Sequence, residues 1–306
     1  MPPSLSTLAR AALRRAGVAP GERLLLACSG GADSQVLVDV MAHIAPELGL
    51  ALFAHGVDHG LRREAMAELD LADALCRARD VPFGRTRLEV PPGGNLQARA
   101  RAARYAALEA AAAAVSATRI ATAHHLDDRA ETVLVRLVRG APIRALGVLA
   151  EATGTRLRPL VRARKAWILA HAQRRGLRWA EDPSNADPGA LRARLRHDLL
   201  PRLRALDPRI DEHLAAWADE ALALAALVEP EPGLASFAAS AGARRAPSSR
   251  AVAALRDAVD AKNRQARVLL PGGRVARWDE RLGIVISSDD DDPARPASPS
   301  PRPPRR

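Results

Sequence analysis

The 306-residue sequence is poor in aromatic side chains, which make up 3% of it. An RNA-binding surface built on base stacking is therefore not expected. The core must form by aliphatic packing, since 48% of the residues are still apolar. Cysteine is equally scarce: Cys28 and Cys76 alone cannot make a disulfide framework, a four-thiolate zinc site or an iron–sulfur cluster. That count suits a reducing cytoplasm. No window approaches about eighteen uninterrupted apolar residues, and Met1 to Arg15 lacks an apolar signal-peptide core, so no membrane span or secretion signal is expected. Lysine is nearly missing as well, with Lys165 and Lys262 its only representatives.

What is present is an excess of positive charge, almost all of it arginine. Lys+Arg 46 against Asp+Glu 35 leaves a net charge of +11, which favours a polyanionic partner such as nucleic acid or a phosphorylated substrate. From Arg23 onward, short apolar runs alternate with helix-like segments, a pattern that predicts βα units around a parallel sheet. Strands are expected at Arg23–Cys28, Ala51–Val57, Phe83–Val90, Arg119–Ala123 and Thr155–Leu160. Between them, helices are expected at Gln35–Ala45, Glu64–Arg79, Asn95–Val115, a segment ending at Val138, and Arg164–Arg175. Two further charged helices, Arg192–Leu206 and Ile210–Leu227, carry Pro201 and Pro208 as breaks. The fold class is thus α/β, with a Rossmann-like parallel-sheet N-terminal domain over residues 1–206 and a smaller, mostly helical C-terminal domain over 207–286. The latter has a helix at Ser249–Ala261 and three short strand-like pieces, and residues 287–306 form a disordered tail.

The first strand runs into Ser29-Gly30-Gly31-Ala32-Asp33-Ser34 and then a helix. Two glycines let the backbone turn tightly and aim its amides at an anion at a helix start, so these six residues are expected to hold phosphate. It is not a Walker A loop: Gly-Lys-Ser/Thr is absent, and no lysine is expected nearby to reach the terminal phosphates. Asp128 and Glu131 lie three apart at a helix start, so their carboxylates share a face at the edge of the sheet. They could hold Mg²⁺ or a substrate ammonium, or serve only as a helix cap. Arg101, Arg104 and Tyr105 project together from one long helix, which suits two guanidiniums gripping a phosphate or the RNA backbone. His55, His59, His124 and His125 come without the Cys or His-Glu-x-x-His partners a zinc site needs.

The hexamer resembles the phosphate-binding loop of the ATP pyrophosphatases, which activate a carbonyl by adenylation. The rest of the pattern narrows the resemblance: Asp58-His59-Gly60-Leu61-Arg62, Arg101 to Tyr105, His124-His125-Leu126-Asp127-Asp128 with Glu131, Arg158-Pro159-Leu160, and Glu181-Asp182-Pro183-Ser184-Asn185. In that order the motifs are similar to those of the tRNA(Ile)-lysidine synthases, strongly over about residues 20–210 and weakly over Pro271–Ile286. One departure is Ala193, where the family usually has Asn.

The resemblance implies an adenine nucleotide α-hydrolase-like fold, ATP and Mg²⁺ as cofactors, and two substrates, the isoleucine tRNA with a CAU anticodon and free L-lysine. It implies no membrane partner and a cytoplasmic location. In that chemistry the loop orients the ATP phosphates, Asp33 and Asp128 bind Mg²⁺, and Asp128 or Glu131 binds the lysine ammonium. Arg101 and Arg104 offset charge developing on phosphate, and Arg192, Arg194 and Arg196 grip the tRNA backbone together with the second domain. Two other readings remain open: another tRNA-modifying enzyme of the same superfamily, and a non-catalytic, nucleotide-gated RNA-binding protein.

Overall fold

The computed structural model describes residues 4–58, 65–88, 96–180, 191–227, 267–270, 274–279 and 283–288. By its contacts the chain divides into a unit at 1–225 and a second at 226–306.

In the first unit, β1 (Arg23–Ala27) is the Leu-rich run at the heart of the sheet, with Leu24, Leu25 and Leu26 all buried. Continuous burial is what a central parallel strand requires, because helices cover both of its faces. Around it stand β2 (Ala51–Asp58), β3 (Phe83–Arg87), β4 (Arg119–Ala121), β5 (Ala152–Thr153) and β6 (Arg156–Leu157), in the order β3-β2-β1-β4-β6-β5. All neighbours are parallel except β5 and β6.

The connecting helices are α1 (Leu5–Arg15), α2 (Ala32–Leu48), α3 (Ala65–Arg77), α4 (Leu96–Ala114), α5 (Leu126–Val138) and α6 (Lys165–Arg174). Helix α1 was not expected from the sequence. Ser4 caps it by accepting from the Thr7 amide at 3.1 Å, and Leu5, Ala9 and Leu13 bury against the sheet core beside Met41 and Ile44 of α2. The strand expected at Thr155–Leu160 is instead a short hairpin. Gly154, at φ +55°, makes its turn, and Pro159, with no amide hydrogen, cannot extend the ladder.

Pro201 does not break the helix it sits in. The chain runs through α7 (Leu191–Arg194), a π-helical turn at Leu195–Leu199 and α8 (Leu200–Leu206), with the Leu200 amide bonding back to the Leu195 carbonyl. Widening the turn just before the proline puts Pro201 in the first turn of α8, where a missing N–H costs little.

Helix α9 (Ile210–Leu227) explains why the unit boundary falls later than Leu206. Leu214 and Ala218 pack with Val133 of α5 and Leu195 and Leu200 of the α7–α8 run, and buried Arg129 pairs with Asp219 at 2.6 Å. The apolar face of α9 therefore belongs to the first unit's core. In the second unit, β7 (Arg267–Leu270), β8 (Arg274–Asp279) and β9 (Gly283–Ser288) form a three-stranded antiparallel sheet at the places the sequence marks as strand-like. The expected helix at Ser249–Ala261, the motifs at 59–62, 181–185 and 271–273, and residues 289–306 of the tail lie outside the described residues. Among the described residues no helix is long and apolar enough to cross a membrane.

The strand order has one functional consequence. Strands β1 and β4 are neighbours, and the chain leaves them toward different helices, α2 and α5. Open α/β sheets bind ligands in the crevice such a switch creates.

Candidate active site

The Ser29–Ser34 loop leaves β1 through a turn that only glycine permits. Gly30 has φ +81°, and a Cβ there would lie 2.1 Å from the backbone oxygen of Glu68. Gly31 is extended and caps α2 without any side-chain hydrogen bond, so the first-turn amides of Ala32, Asp33 and Ser34 have no side-chain cap. A 17-residue helix presenting open amides in this way is an anion site. The loop is braced from within: the Ser34 hydroxyl accepts from the Ser29 amide at 3.1 Å and donates to the Gly31 carbonyl at 2.9 Å. From outside, the Ala180 amide donates to the Gly30 carbonyl at 3.0 Å.

Across the switch point, His124 to Asp128 leave β4 and start α5. His125 is the cap: its Nδ1 accepts from the Asp128 amide at 3.3 Å, while the Asp128 carboxylate accepts from the His125 amide at 3.2 Å. The capping role that the sequence left open for Asp128 and Glu131 is thus taken by His125 and Asp128, which frees Glu131. The imidazole of His125 also joins the two halves of the site. Its Nε2 lies 3.8 Å from Asp33 Oδ2 and 3.4 Å from Asp128 Oδ2.

Asp127, also 3.7 Å from His125 Nδ1, accepts from the Lys165 amide at 2.7 Å and Arg204 at 2.8 Å, so it straps α5 to α6 and α8. Asp128 and Glu131 share a face, as their spacing predicts. Arg192 touches both, with Nη2 at 3.0 Å from Asp128 and Nε at 2.8 Å from Glu131. Arg196 adds two bonds to Glu131, at 2.6 and 2.9 Å. Burial pushes the Asp128 carboxyl up, but His125, His124, Arg192 and the His125 amide outweigh it and hold it below the usual carboxylate range. Of the three arginines assigned to the tRNA backbone, Arg192 and Arg196 are therefore committed to carboxylates here, and Arg194 is exposed.

Ser29, Asp33 and Ser34 of the loop and Asp128 and Arg192 across from it line a cavity of about 910 Å³, large enough for a nucleotide. Arg101 and Arg104 line it as their helical spacing predicts, and Arg158, nearly buried, adds a third guanidinium. His124 stands among them. Burial, followed by the nearby charge of Arg158, Arg101 and Arg104, holds its pKa down to about 4 despite Asp128, so the ring is neutral at pH 7. His55, also on this wall, bonds Thr86 Oγ1 at 2.9 Å.

One residue was missed by sequence reasoning. Lys165, at the start of α6, places its Nζ 2.6 Å from Asp33 Oδ1. A lysine does therefore stand at the phosphate loop, brought from 132 residues away along the chain. The available signal was its rarity, as one of two lysines in an arginine-rich chain.

No cluster of three or more His, Cys, Asp or Glu side chains suited to a metal occurs among the described residues. Asp33 and Asp128 converge on one imidazole beside open amides, however. A pair of carboxylates is what Mg²⁺ takes from a protein when phosphate and water complete its shell, so the residues fit that ion.

A family model described as a PP-loop domain matches residues 5–203. The chain is 40% identical over 238 residues to the tRNA(Ile)-lysidine synthase of Thermobifida fusca (strain YX), covering 72% of this chain and 74% of that protein. It is 41% identical over 214 residues to the tRNA(Ile)-lysidine synthase of Azoarcus sp. (strain BH72), covering 67% of this chain and 47% of that protein. With the Aromatoleum aromaticum synthase the identity is 44% over 192 residues, covering 61% and 44%. The chain thus spans less than half the length of the last two. In three dimensions it is similar to the U34-tRNA thiolase NcsA of Methanococcus maripaludis, solved with its iron–sulfur cluster. The TM-score is 0.60 at 18% identity, over 71% of this chain and 77% of that one, a likeness of fold.

Proposed function

Since this chain belongs to the PP-loop domain family and, within it, to the tRNA(Ile)-lysidine synthases, we propose that it converts the wobble cytidine of the isoleucine tRNA with a CAU anticodon to lysidine. The cytidine C2 oxygen attacks the α-phosphorus of ATP and pyrophosphate leaves. The ε-amine of free L-lysine then adds at C2 and AMP departs, so adenylation has turned a poor leaving oxygen into a good one. The observation that carries this reading is the meeting of Asp33 and Asp128 at one imidazole, 3.8 and 3.4 Å away, on the cavity that Arg101 and Arg104 line.

Each group has work suited to its place. The amides of Ala32 to Ser34 cradle the phosphates, and Lys165 supplies a cation at the loop for the departing pyrophosphate. Arg101 and Arg104 balance charge on the α-phosphate. Asp33 and Asp128 would hold Mg²⁺, which screens phosphate charge and so favours attack on phosphorus. The second site is acidic: Glu131, on the same face as Asp128, receives the lysine ammonium, and Arg192 and Arg196 neutralise the two carboxylates until it arrives. Arg194 and the second unit meet the tRNA backbone.

Thiolation through a cluster is disfavoured by composition, because Cys28 and Cys76 are the only thiols and both are buried. The test is incorporation of labelled lysine into an unmodified transcript of that tRNA, with and without ATP, beside Asp33→Ala. ATP-dependent label at the wobble position, lost in the variant, is expected. Folded protein that labels no tRNA would sink the proposal.

A further inference from the structure

Arg101 has two neighbours that the reaction as described does not use. Besides lining the large cavity, it borders a second, open groove of about 440 Å³ on the outer side of α4. The floor of that groove is Ala98, Ala102 and Ala106, one turn apart, and its far wall is Arg156 of β6. Between the two arginines lies Tyr105. The Arg156 guanidinium carbon sits 4.2 Å from the ring centroid and that of Arg101 at 5.2 Å, while Arg101 Nη2 donates to the Tyr105 hydroxyl at 3.3 Å.

We propose that this groove binds a phosphodiester of the RNA strand whose base enters the active-site cavity, with Arg156 as the fork that holds it and Arg101 between groove and cavity; the inference rests on the function proposed above. Three features support it. Stacking on an aromatic ring fixes the plane of a guanidinium while leaving its N–H edge free for an anion, so Arg156 is pre-organised. Its present partner is weak: Glu109, at 3.1 Å, is 53% exposed and Arg156 is 38% exposed, and a solvated pair of this kind exchanges readily for a better anion. The alanine floor lets a backbone approach closely, and Arg101 stands on the wall shared by groove and cavity.

The test is binding of an unmodified RNA hairpin carrying the CAU anticodon loop, followed by fluorescence anisotropy across salt concentrations, without ATP. Arg156→Gln is expected to bind roughly tenfold more weakly and to flatten the log–log salt slope by about 0.7 to 0.9, the loss of one phosphate contact. ATP affinity should be unchanged. Glu109→Gln, an exposed change that leaves the fold intact, is expected to tighten RNA binding by more than Glu47→Gln, the same charge change on α2. If Arg156→Gln keeps the wild-type slope, or alters ATP affinity and not RNA affinity, the groove is no RNA site and Arg156 serves only to position Arg101. If Glu109→Gln and Glu47→Gln are indistinguishable, the proposal also fails. Wild-type protein that binds the hairpin at no salt concentration would overturn the function itself along with the groove.

Discussion

Lys165→Met removes the ammonium that stands at Asp33 of the phosphate loop while keeping most of the side chain's apolar stem. The stability effect is small. Lys165 and Asp33 are 35% and 32% exposed, so their 2.6 Å pair is partly solvated and contributes about 0.5 kcal/mol, or about 1–2 °C in melting temperature. The catalytic effect is larger if the ammonium turns to the departing pyrophosphate. A charge-assisted hydrogen bond made mainly in the transition state contributes about 1.5–3 kcal/mol, and at about 1.4 kcal/mol per factor of ten the turnover should fall roughly 10- to 100-fold. The assay is tRNA-dependent ATP–pyrophosphate exchange, which reads adenylation without the lysine step. A fall in kcat with little change in KM for ATP is expected, and Lys165→Arg should recover part of the rate. A variant that exchanges pyrophosphate at the wild-type rate refutes the reasoning, and leaves Lys165 as a counter-ion of Asp33 that moves aside when nucleotide binds.

Gly30→Ala forces a side chain into φ +81° and against the Glu68 backbone oxygen, so it should destabilise the protein by at least about 2 kcal/mol in urea unfolding and abolish ATP binding. Unchanged nucleotide affinity would show that the loop can be rebuilt at no cost. Asp39, 2% exposed, bonds His171 at 2.8 Å, Arg79 at 2.7 Å and Arg175 at 3.2 Å. Burial raises its pKa, but these partners outweigh it and leave the carboxyl well below its usual range. A carboxyl depressed in the folded state stabilises it above the unfolded value of about 3.9 and loses that contribution as pH falls through the folded value. Asp39→Asn should therefore unfold about 2–4 kcal/mol more easily at pH 7, with the gap to wild type narrowing below about pH 4; a gap constant with pH would remove the ionic explanation.

The parallel sheet was legible in the sequence because its signals are local. The buried Leu24–Leu26 run, the glycine turn after it and the alternation of apolar strands with long helices all survive in the structure. What failed was governed by tertiary context. Helix α1 shows no strong sequence punctuation apart from Ser4, and it is defined by packing on α2. The π-helical turn before Pro201 reverses a propensity rule, because moving the wide turn upstream costs less than ending a helix whose Leu195 and Leu200 are needed in the core. The site divides in the same way. Asp33, Asp128, Arg101 and Arg104, which local spacing and order of motifs single out, line one cavity, and Glu131 stands beside Asp128 on the shared Arg192. The approach of Lys165 to Asp33 depends on a contact across 132 residues that no local pattern encodes.

The net charge of +11 invited a reading of the arginines as a surface for polyanions, and the structure changes which arginines that can mean. Arg129 and Arg158 are buried, Arg164 and Arg204 hold Glu212 and Asp211, and Arg192 and Arg196 neutralise Asp128 and Glu131. A guanidinium paired with a carboxylate releases no counterion when RNA binds, so only the unpaired or weakly paired arginines enter the salt dependence. The pairs divide further by what can compete with them. Arg204 faces a carboxylate 2% exposed and accepts no rival, whereas Arg192, itself half exposed, also faces Asp128, which is 16% exposed and lines the active-site cavity. On the role proposed for Asp128 and Glu131, a substrate ammonium that displaced Arg192 would return a free guanidinium to the cavity edge. Lysine binding and the affinity of this edge for a phosphate are then linked in sign: each favours the other, and neither need touch the other's ligand.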